Sequence, residues 1–352
     1  MPTDDDLADD YDYELPRELV AQEPLADRSA ARLLVVSRGG GQLAHRHVRD
    51  LPEILRPGDL LVVNETKVVP ARLLGRREKT GGRWEGLWLG TEPDGVWRLL
   101  AQSRGRVLEG ESIAVVDAAG ETRFRLVVVG RGGGGTWLVR PDREGSPETL
   151  LAEAGRVPLP GYIRGGEARA GDTARYQTVF ARTAGSAAAP TAGLHFTPEL
   201  LAALEARGVA RAPVTLHVGI DTFRPIAVAR LADHPMHAEW CECPAQTAAA
   251  VAATRARGGR VVAVGTTAVR TLETAAAAGA IGPFAGRTSL FIRPGHVFRA
   301  VDCVLTNFHM PRTTLVVLVS TFAGRDLVRR AYDEAVRERY RFLSYGDCML
   351  FE

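Results

Sequence analysis

Residues 260–273 read RVVAVGTTAVRTLE. The apolar run Val261–Val264 predicts a strand, Gly265 a turn, and the segment opening at Thr266 and Thr267 a helix. A strand that passes through one glycine into a helix is the repeating step of an α/β domain. The first turn of such a helix leaves backbone amides and the positive dipole end free for an anion, and Arg270, one turn on, can clamp a carboxylate or phosphate. Neither GxGxxG nor GxxxxGK[ST] is present, so no dinucleotide or Walker loop is implied.

The same grammar continues on both sides. SPETLLAEAG has Ser146 as N-cap, Pro147 at the first helical position and Gly155 at the end, and TPELLAALEARG repeats the device with Thr197, Pro198 and Gly208. SLFIRPG and RAVDCVLTNF look strand-like, TTLVVLVSTFAG is an apolar helix, and DLVRRAYDEAVRERY a charged one. Between Gly82 and Arg140 the text differs: RWEGLWL, VWRLLAQS, SIAVV, TRFRLVVVG and TWLVR are short alternating runs separated by TEPDG, DAAGE and RGGGG. That is a strand-and-turn meander, and Trp84, Trp88, Trp97 and Trp137 are expected to fill a small barrel core. The expected fold is therefore α/β, a layered α/β main domain with an inserted all-β barrel-like domain. Residues 13–65 and 150–352 form the discontinuous catalytic domain, 66–149 the insertion, and 1–12 a disordered acidic tail.

With 352 residues, 45% apolar and 24% charged, the chain has the composition of a soluble globular protein. It has no apolar run of eighteen residues, and the acidic start MPTDDDLADDYDYELP does not resemble a secretory signal, so a cytoplasmic protein without membrane contact is expected. Cys241, Cys243, Cys303 and Cys348 show no framework spacing and are expected as reduced thiols. The net charge of +2 leaves any RNA contact to local patches.

His45 and His47 suit a polar strand edge, and His296 a turn after Pro294 and Gly295. His195, His217, His234, His237 and His309 instead lie among small or apolar residues at strand ends or loops, which points to a shared polar site with several proton carriers. If HPMHAEWCEC is extended, His237, Glu239, Cys241 and Cys243 share one face and invite a zinc reading. Ligands spaced along one strand are collinear, however, and a tetrahedral site draws on a distant segment, so no metal is expected. Only Lys67 and Lys79 are lysines in an arginine-rich chain. Lys79 fits a surface run, whereas Lys67, between LLVVN and VVPARL, suggests a compact cation in a confined place.

Taken in order, YELPRELVAQEPLADRSAARLL, RPGDLLVVNETKVVPARLLG, RYQTVFA, PTAGLHFT, LHVGIDTFRPI, HPMHAEW, VVAVGTTAVRTLE, LTNFHMP and YRFLSYGDCML resemble the S-adenosylmethionine:tRNA ribosyltransferase-isomerases of queuosine biosynthesis, from about Tyr11 to the C-terminus. The resemblance implies transfer and isomerisation of the ribosyl moiety of S-adenosylmethionine onto 7-aminomethyl-7-deazaguanine in the tRNA anticodon. Epoxyqueuosine would form, with adenine and methionine released. S-adenosylmethionine is then a consumed substrate and no cofactor is needed. The departure from the family pattern is Asp221, where glycine is usual; Asp is among the residues that tolerate positive φ.

On this resemblance His195, His217, His237 and His309 carry protons, with Glu239 or Asp347 orienting an imidazole or receiving the aminomethyl cation. Lys67 stands in the substrate cleft; Thr266, Thr267 and Arg270 hold the methionine carboxylate; Asn307 and Tyr345 bind polar edges of the nucleoside. Arg329, Arg330, Arg339 and Arg341 meet tRNA, and the protein acts as a monomer. Two rivals remain at this point: a non-catalytic binder of modified tRNA or nucleoside, and a metal-dependent hydrolase built on His234, His237 and Glu239.

Overall fold

The computed structural model describes residues 6–219 and 224–352. Asp221 lies outside the described residues. The chain forms two compact units: Met1–Thr66, Gln177–Thr183 and Ala189–Glu352 make the first, and Lys67–Tyr176 with Ala184–Ala188 the second.

The first unit is built on a nine-stranded sheet. Its strands are β1 (Arg32–Val36), β2 (Leu43–His47), β3 (Leu60–Asn64), β4 (Ala210–Leu216), β5 (Glu239–Cys243), β6 (Val261–Val264), β7 (Phe284–Thr288), β8 (Cys303–Asn307) and β9 (Cys348–Phe351), in spatial order β7-β5-β4-β3-β6-β8-β9-β1-β2. β4, β3, β6 and β8 run parallel, whereas β5 and β9 run antiparallel to their neighbours β4 and β8. Leu33, Leu61, Val63, Val264, Leu305 and Leu350 pack on one face with Phe196, Leu200 and Leu204. The alternate residues Leu34, Val62, Ala263, Val304 and Met349 are also buried, so both faces are covered, as the continuous apolar runs require.

The helices placed by capping signals form as expected. α1 (Pro198–Ala206) starts where Thr197 Oγ1 accepts from the Leu200 amide at 3.2 Å. α2 (Ala245–Ala256) follows β5, and α3 (Thr266–Ala275) follows β6 through Gly265. Gly265 has φ 89°, a conformation costly for any residue with a Cβ, and its N–H donates to Leu305 O at 2.7 Å. α4 (Thr314–Ala323) and α5 (Arg325–Arg337) are the apolar and charged helices of the sequence. SLFIRPG is not the strand: β7 ends at Thr288, just before it.

The second unit is a closed six-stranded antiparallel barrel, running Trp137–Pro141, Trp97–Ser103, Arg83–Thr91, Arg72–Arg77, Ser112–Val116 and Thr122–Arg131 around its wall. Trp84, Trp97 and Trp137 fill its core with Trp88 packed against them, as expected. The helix Pro147–Ala154 contributes Leu150, Leu151 and Ala154 to the same core. The compact unit thus reaches Tyr176, beyond the expected end at 149. The acidic tail also needs correction over its described part: Ala8–Tyr11 is a 3₁₀ turn with Ala8 and Tyr11 buried.

Candidate active site

Open α/β sheets offer ligands the crevice beyond the carboxyl ends of their parallel strands. In the first unit β3, β4, β6 and β8 end on one edge, and β5 and β9 begin there, since Leu216 pairs with Cys241 and Asn307 with Cys348. Chain direction alone therefore brings His217, Glu239, Thr266, Thr267, Asn307 and Asp347 to one edge of the sheet.

At the β4–β5 corner, His217 Nδ1 lies 2.7 Å from Thr66 Oγ1, and the ring stacks on Trp240 with centroids 5.2 Å apart. Partial burial lowers its pKa. Glu239 is buried, accepts from the Gly219 amide at 2.8 Å, and forms an ion pair with Arg270 of α3. Arg270 donates further to Leu290 O at 3.2 Å and Thr288 O at 3.4 Å. The charge expected to receive a carboxylate thus already faces one from the protein. Beside it at the start of α3, Thr267 Oγ1 is buried without a hydrogen-bond partner.

At the β8–β9 corner, the loop Arg341–Asp347 is folded tightly. Leu343 has φ 69°, a left-handed conformation rare for a branched side chain, and a Cβ at Gly346 would collide with the Arg341 carbonyl. Asn307 Nδ2 donates to Leu343 O at 3.0 Å, and Asp347 accepts the Arg32 and Arg341 amides at 2.9 and 2.8 Å. Burial raises the Asp347 pKa, and these two amides oppose the rise. The carboxylate expected to orient an imidazole therefore pins β1 and the loop that carries Tyr345, itself buried.

His195 ends the short helical turn Thr191–His195 and is buried. Desolvation lowers its pKa to about 4; the nearby Asn307 side chain favours the charged ring and opposes that shift only in part. His195 Nε2 and Asn307 Oδ1 nevertheless each lack a well-aligned hydrogen-bond partner. Buried polar atoms are almost always paired, and the orphans on His195, Asn307 and Thr267 at this one sheet edge make it the candidate site for a polar ligand.

His309 is placed differently. Its Nε2 lies 2.9 Å from Thr306 Oγ1, on the strand face opposite Asn307, its amide donates to Tyr332 Oη at 3.1 Å, and its carbonyl accepts from Tyr13. Burial lowers its pKa to about 3. His234 packs edge-on to Phe291 and, with His237, precedes β5. Glu239, Cys241 and Cys243 do share one buried face of β5, as extension requires. Among the described residues no group of three or more His, Cys, Asp or Glu could hold a metal. The four cysteines are free, and burial raises the thiols of Cys241, Cys243 and Cys303 to about 11.

Lys67 opens the second unit, and its side chain is exposed, which corrects the confined position expected of it. On α5, Arg329 pairs with Asp333 and donates to Asp12 O, and Arg330 donates to Gly41 O. Arg341 is tied to Glu23 O, and Arg339 is exposed with φ 53°. Thr66, Trp240 and the Gly219 amide were missed from the sequence; the run NETK and the aromatic beside Glu239 were the signals available.

A two-faced α/β sheet with orphaned polar groups and buried imidazoles at its carboxyl edge, joined in one chain to a closed barrel, is the class of an α/β enzyme. The chain belongs to the queuosine biosynthesis protein family, whose pattern it matches over residues 8–351. It is 54% identical over 345 residues to the S-adenosylmethionine:tRNA ribosyltransferase-isomerase of Anaeromyxobacter sp. (strain Fw109-5), with 97% of each chain covered. The protein of that name from Symbiobacterium thermophilum is 51% identical over 342 residues, covering 97% of this chain and 98% of the relative. Among solved structures, the S-adenosylmethionine tRNA ribosyltransferase from Thermotoga maritima matches with a TM-score of 0.56 and 38% identity, over 97% of this chain and all of that one.

Proposed function

We propose that the protein is an S-adenosylmethionine:tRNA ribosyltransferase-isomerase. It moves the ribosyl part of S-adenosylmethionine onto 7-aminomethyl-7-deazaguanine in the tRNA anticodon, forms epoxyqueuosine and releases adenine and methionine. The observation that carries this reading is the set of orphaned atoms on His195, Thr267 and Asn307 at the same sheet edge as the Glu239–Arg270 pair, in a chain half identical to proteins of that name over nearly its whole length.

The reaction needs a base for a 5′ hydrogen made acidic by the sulfonium, a proton or hydrogen bond on the departing adenine, and loss of a proton from the incoming aminomethyl group. His217 has its pKa lowered, so it is neutral at pH 7 and can accept a proton, with Thr66 and Trp240 fixing its ring. His195 is also neutral and offers Nε2, beside Asn307 Oδ1, to a nucleobase edge. Glu239 suits the methionine ammonium, and the first turn of α3 with Thr266, Thr267 and Arg270 suits its carboxylate. His237 precedes β5 and Tyr345 precedes β9, so both stand at the same edge; Asp347 acts by holding the β8–β9 corner, and His309 ties the end of β8 to Tyr332 of α5 and to Tyr13. No cofactor takes part. The protein works as a cytoplasmic monomer; among the described residues no helix is long and apolar enough to cross a membrane.

The test uses S-adenosylmethionine labelled separately in the ribose and in the methyl group. Ribose label should enter tRNA and methyl label should leave with methionine; methyl label in tRNA would refute the reading.

A further inference from the structure

The barrel carries an unneutralised cationic end. Most of its arginines face a carboxylate: Arg72 meets Glu85, Arg98 Glu92, Arg123 Asp117, Arg125 Glu78, Arg140 Asp94 and Arg143 Glu153. Arg76, Lys79, Arg83, Arg104 and Arg106 are exposed, and none has such a partner among the described residues. These five are neighbours in space. Arg76 and Arg83 stand directly opposite each other on adjacent strands, both on the outer face, with Lys79 in the hairpin between them. Ser103 pairs with Trp84, which brings the loop after it beside Arg83.

That loop is fixed by a buried staple. Arg77 points into the barrel, pairs with Glu111, and donates to Arg104 O at 2.8 Å and Arg106 O at 2.9 Å. Like charges directly opposite on paired strands are unfavourable, and a buried ion pair that holds two more cations beside them does nothing to relieve the repulsion. An exposed acid, Glu109, is the nearest unpaired carboxylate in the sequence and leaves the patch strongly positive. The arginines on and after α5 offer a weaker alternative, because Arg329, Arg330, Arg337 and Arg341 are already bonded within the protein.

We infer that this end of the barrel is an RNA-docking surface, on which Arg76, Lys79, Arg83, Arg104 and Arg106 bind backbone phosphates of the tRNA. The inference rests on the proposed action on tRNA and adds where the RNA is held. Phosphate contacts position a nucleic acid without reading its sequence, so the surface serves affinity and register rather than chemistry.

The test is the triple variant Arg83→Gln/Arg104→Gln/Arg106→Gln, with Arg98→Gln/Arg140→Gln as a control that removes ion-paired arginines from the same unit. Binding of tRNA carrying the aminomethyl base is followed from 50 to 300 mM salt, with S-adenosylmethionine affinity as the check on folding. Each phosphate contact contributes about 0.7–0.9 to the slope of log K against log salt, so the triple variant should lose about 2–3 from the slope and on the order of 10²-fold in affinity at 0.1 M salt. Turnover at saturating tRNA and affinity for S-adenosylmethionine should stay at parent values, and the control should keep the parent slope. A parent that converts tRNA while the triple variant keeps its slope overturns the surface alone, and would point to α5 or to an acidic protein partner for the barrel. A parent that neither binds nor converts tRNA overturns both this inference and the proposed function.

Discussion

Glu239 and Arg270 form the buried ion pair that joins β5 to α3, with side chains 9% and 7% exposed. Removing one partner leaves the other charge desolvated, which costs about 3–5 kcal/mol, whereas removing both leaves no orphan charge and is often near neutral. Glu239→Gln should therefore destabilise the first unit by about 3 kcal/mol, at the lower end because Gln Oε1 can still accept from the Gly219 amide. Arg270→Met should cost more, since Leu290 O and Thr288 O lose their donor as well. The double variant Glu239→Gln/Arg270→Met should recover most of the loss. Urea unfolding followed by circular dichroism measures all four proteins in one double-mutant cycle, and adenine release measures the chemistry. Activity should be lost in all three variants, including the stability-restored double, because the pair is placed in the methionine site. Additive destabilisation with no recovery would refute a desolvated pair, and a double variant with parent activity would remove both residues from the site.

Chelation should leave activity intact, given the collinear layout of Glu239, Cys241 and Cys243; stoichiometric zinc with activity restored only by zinc would say otherwise. Lys67 is exposed, so Lys67→Arg should turn over near the parent rate and Lys67→Ala should fall if its charge is used; loss in both would restore a confined role. His195 has a folded pKa of about 4 against an ordinary value near 6.5, so the unfolded chain binds the proton first and stability falls as pH drops between those values. Replacing it, as His195→Gln, should flatten that limb by up to about 1.4 kcal/mol per pH unit, read from urea midpoints at pH 6 and 4.5; an unchanged slope would mean the ring is not buried neutral.

The sequence made the fold legible wherever a local signal was enough. Ser146, Thr197 and Gly265 marked helix starts by capping and backbone freedom, and the short alternating runs between TEPDG, DAAGE and RGGGG marked the barrel. Periodicity says that a helix has an apolar face and not which core receives it. The expected boundary at 149 therefore cuts through Pro147–Ala154, although Leu150 and Leu151 pack in the barrel. At the candidate site, His195 and His217 stand out in the sequence at strand ends and loops beside small residues and Thr267 at a helix start, whereas Asn307 entered only through the family resemblance. The partners do not stand out, since the Glu239–Arg270 pair spans 31 positions and the Asp347–Arg32 contact 315, distances that only the sheet order closes. For the same reason Asp347 reads in sequence as a reactive carboxylate, while the fold uses both its oxygens on backbone amides.

The most direct test of the account is the stoichiometry of a single incubation of the purified protein with S-adenosylmethionine and tRNA bearing the aminomethyl base. Free adenine, free methionine and ribosyl label in tRNA should appear together in equal amounts, without added metal. Adenine or methionine released without label entering the tRNA, or tRNA bound with no release of either, would contradict it.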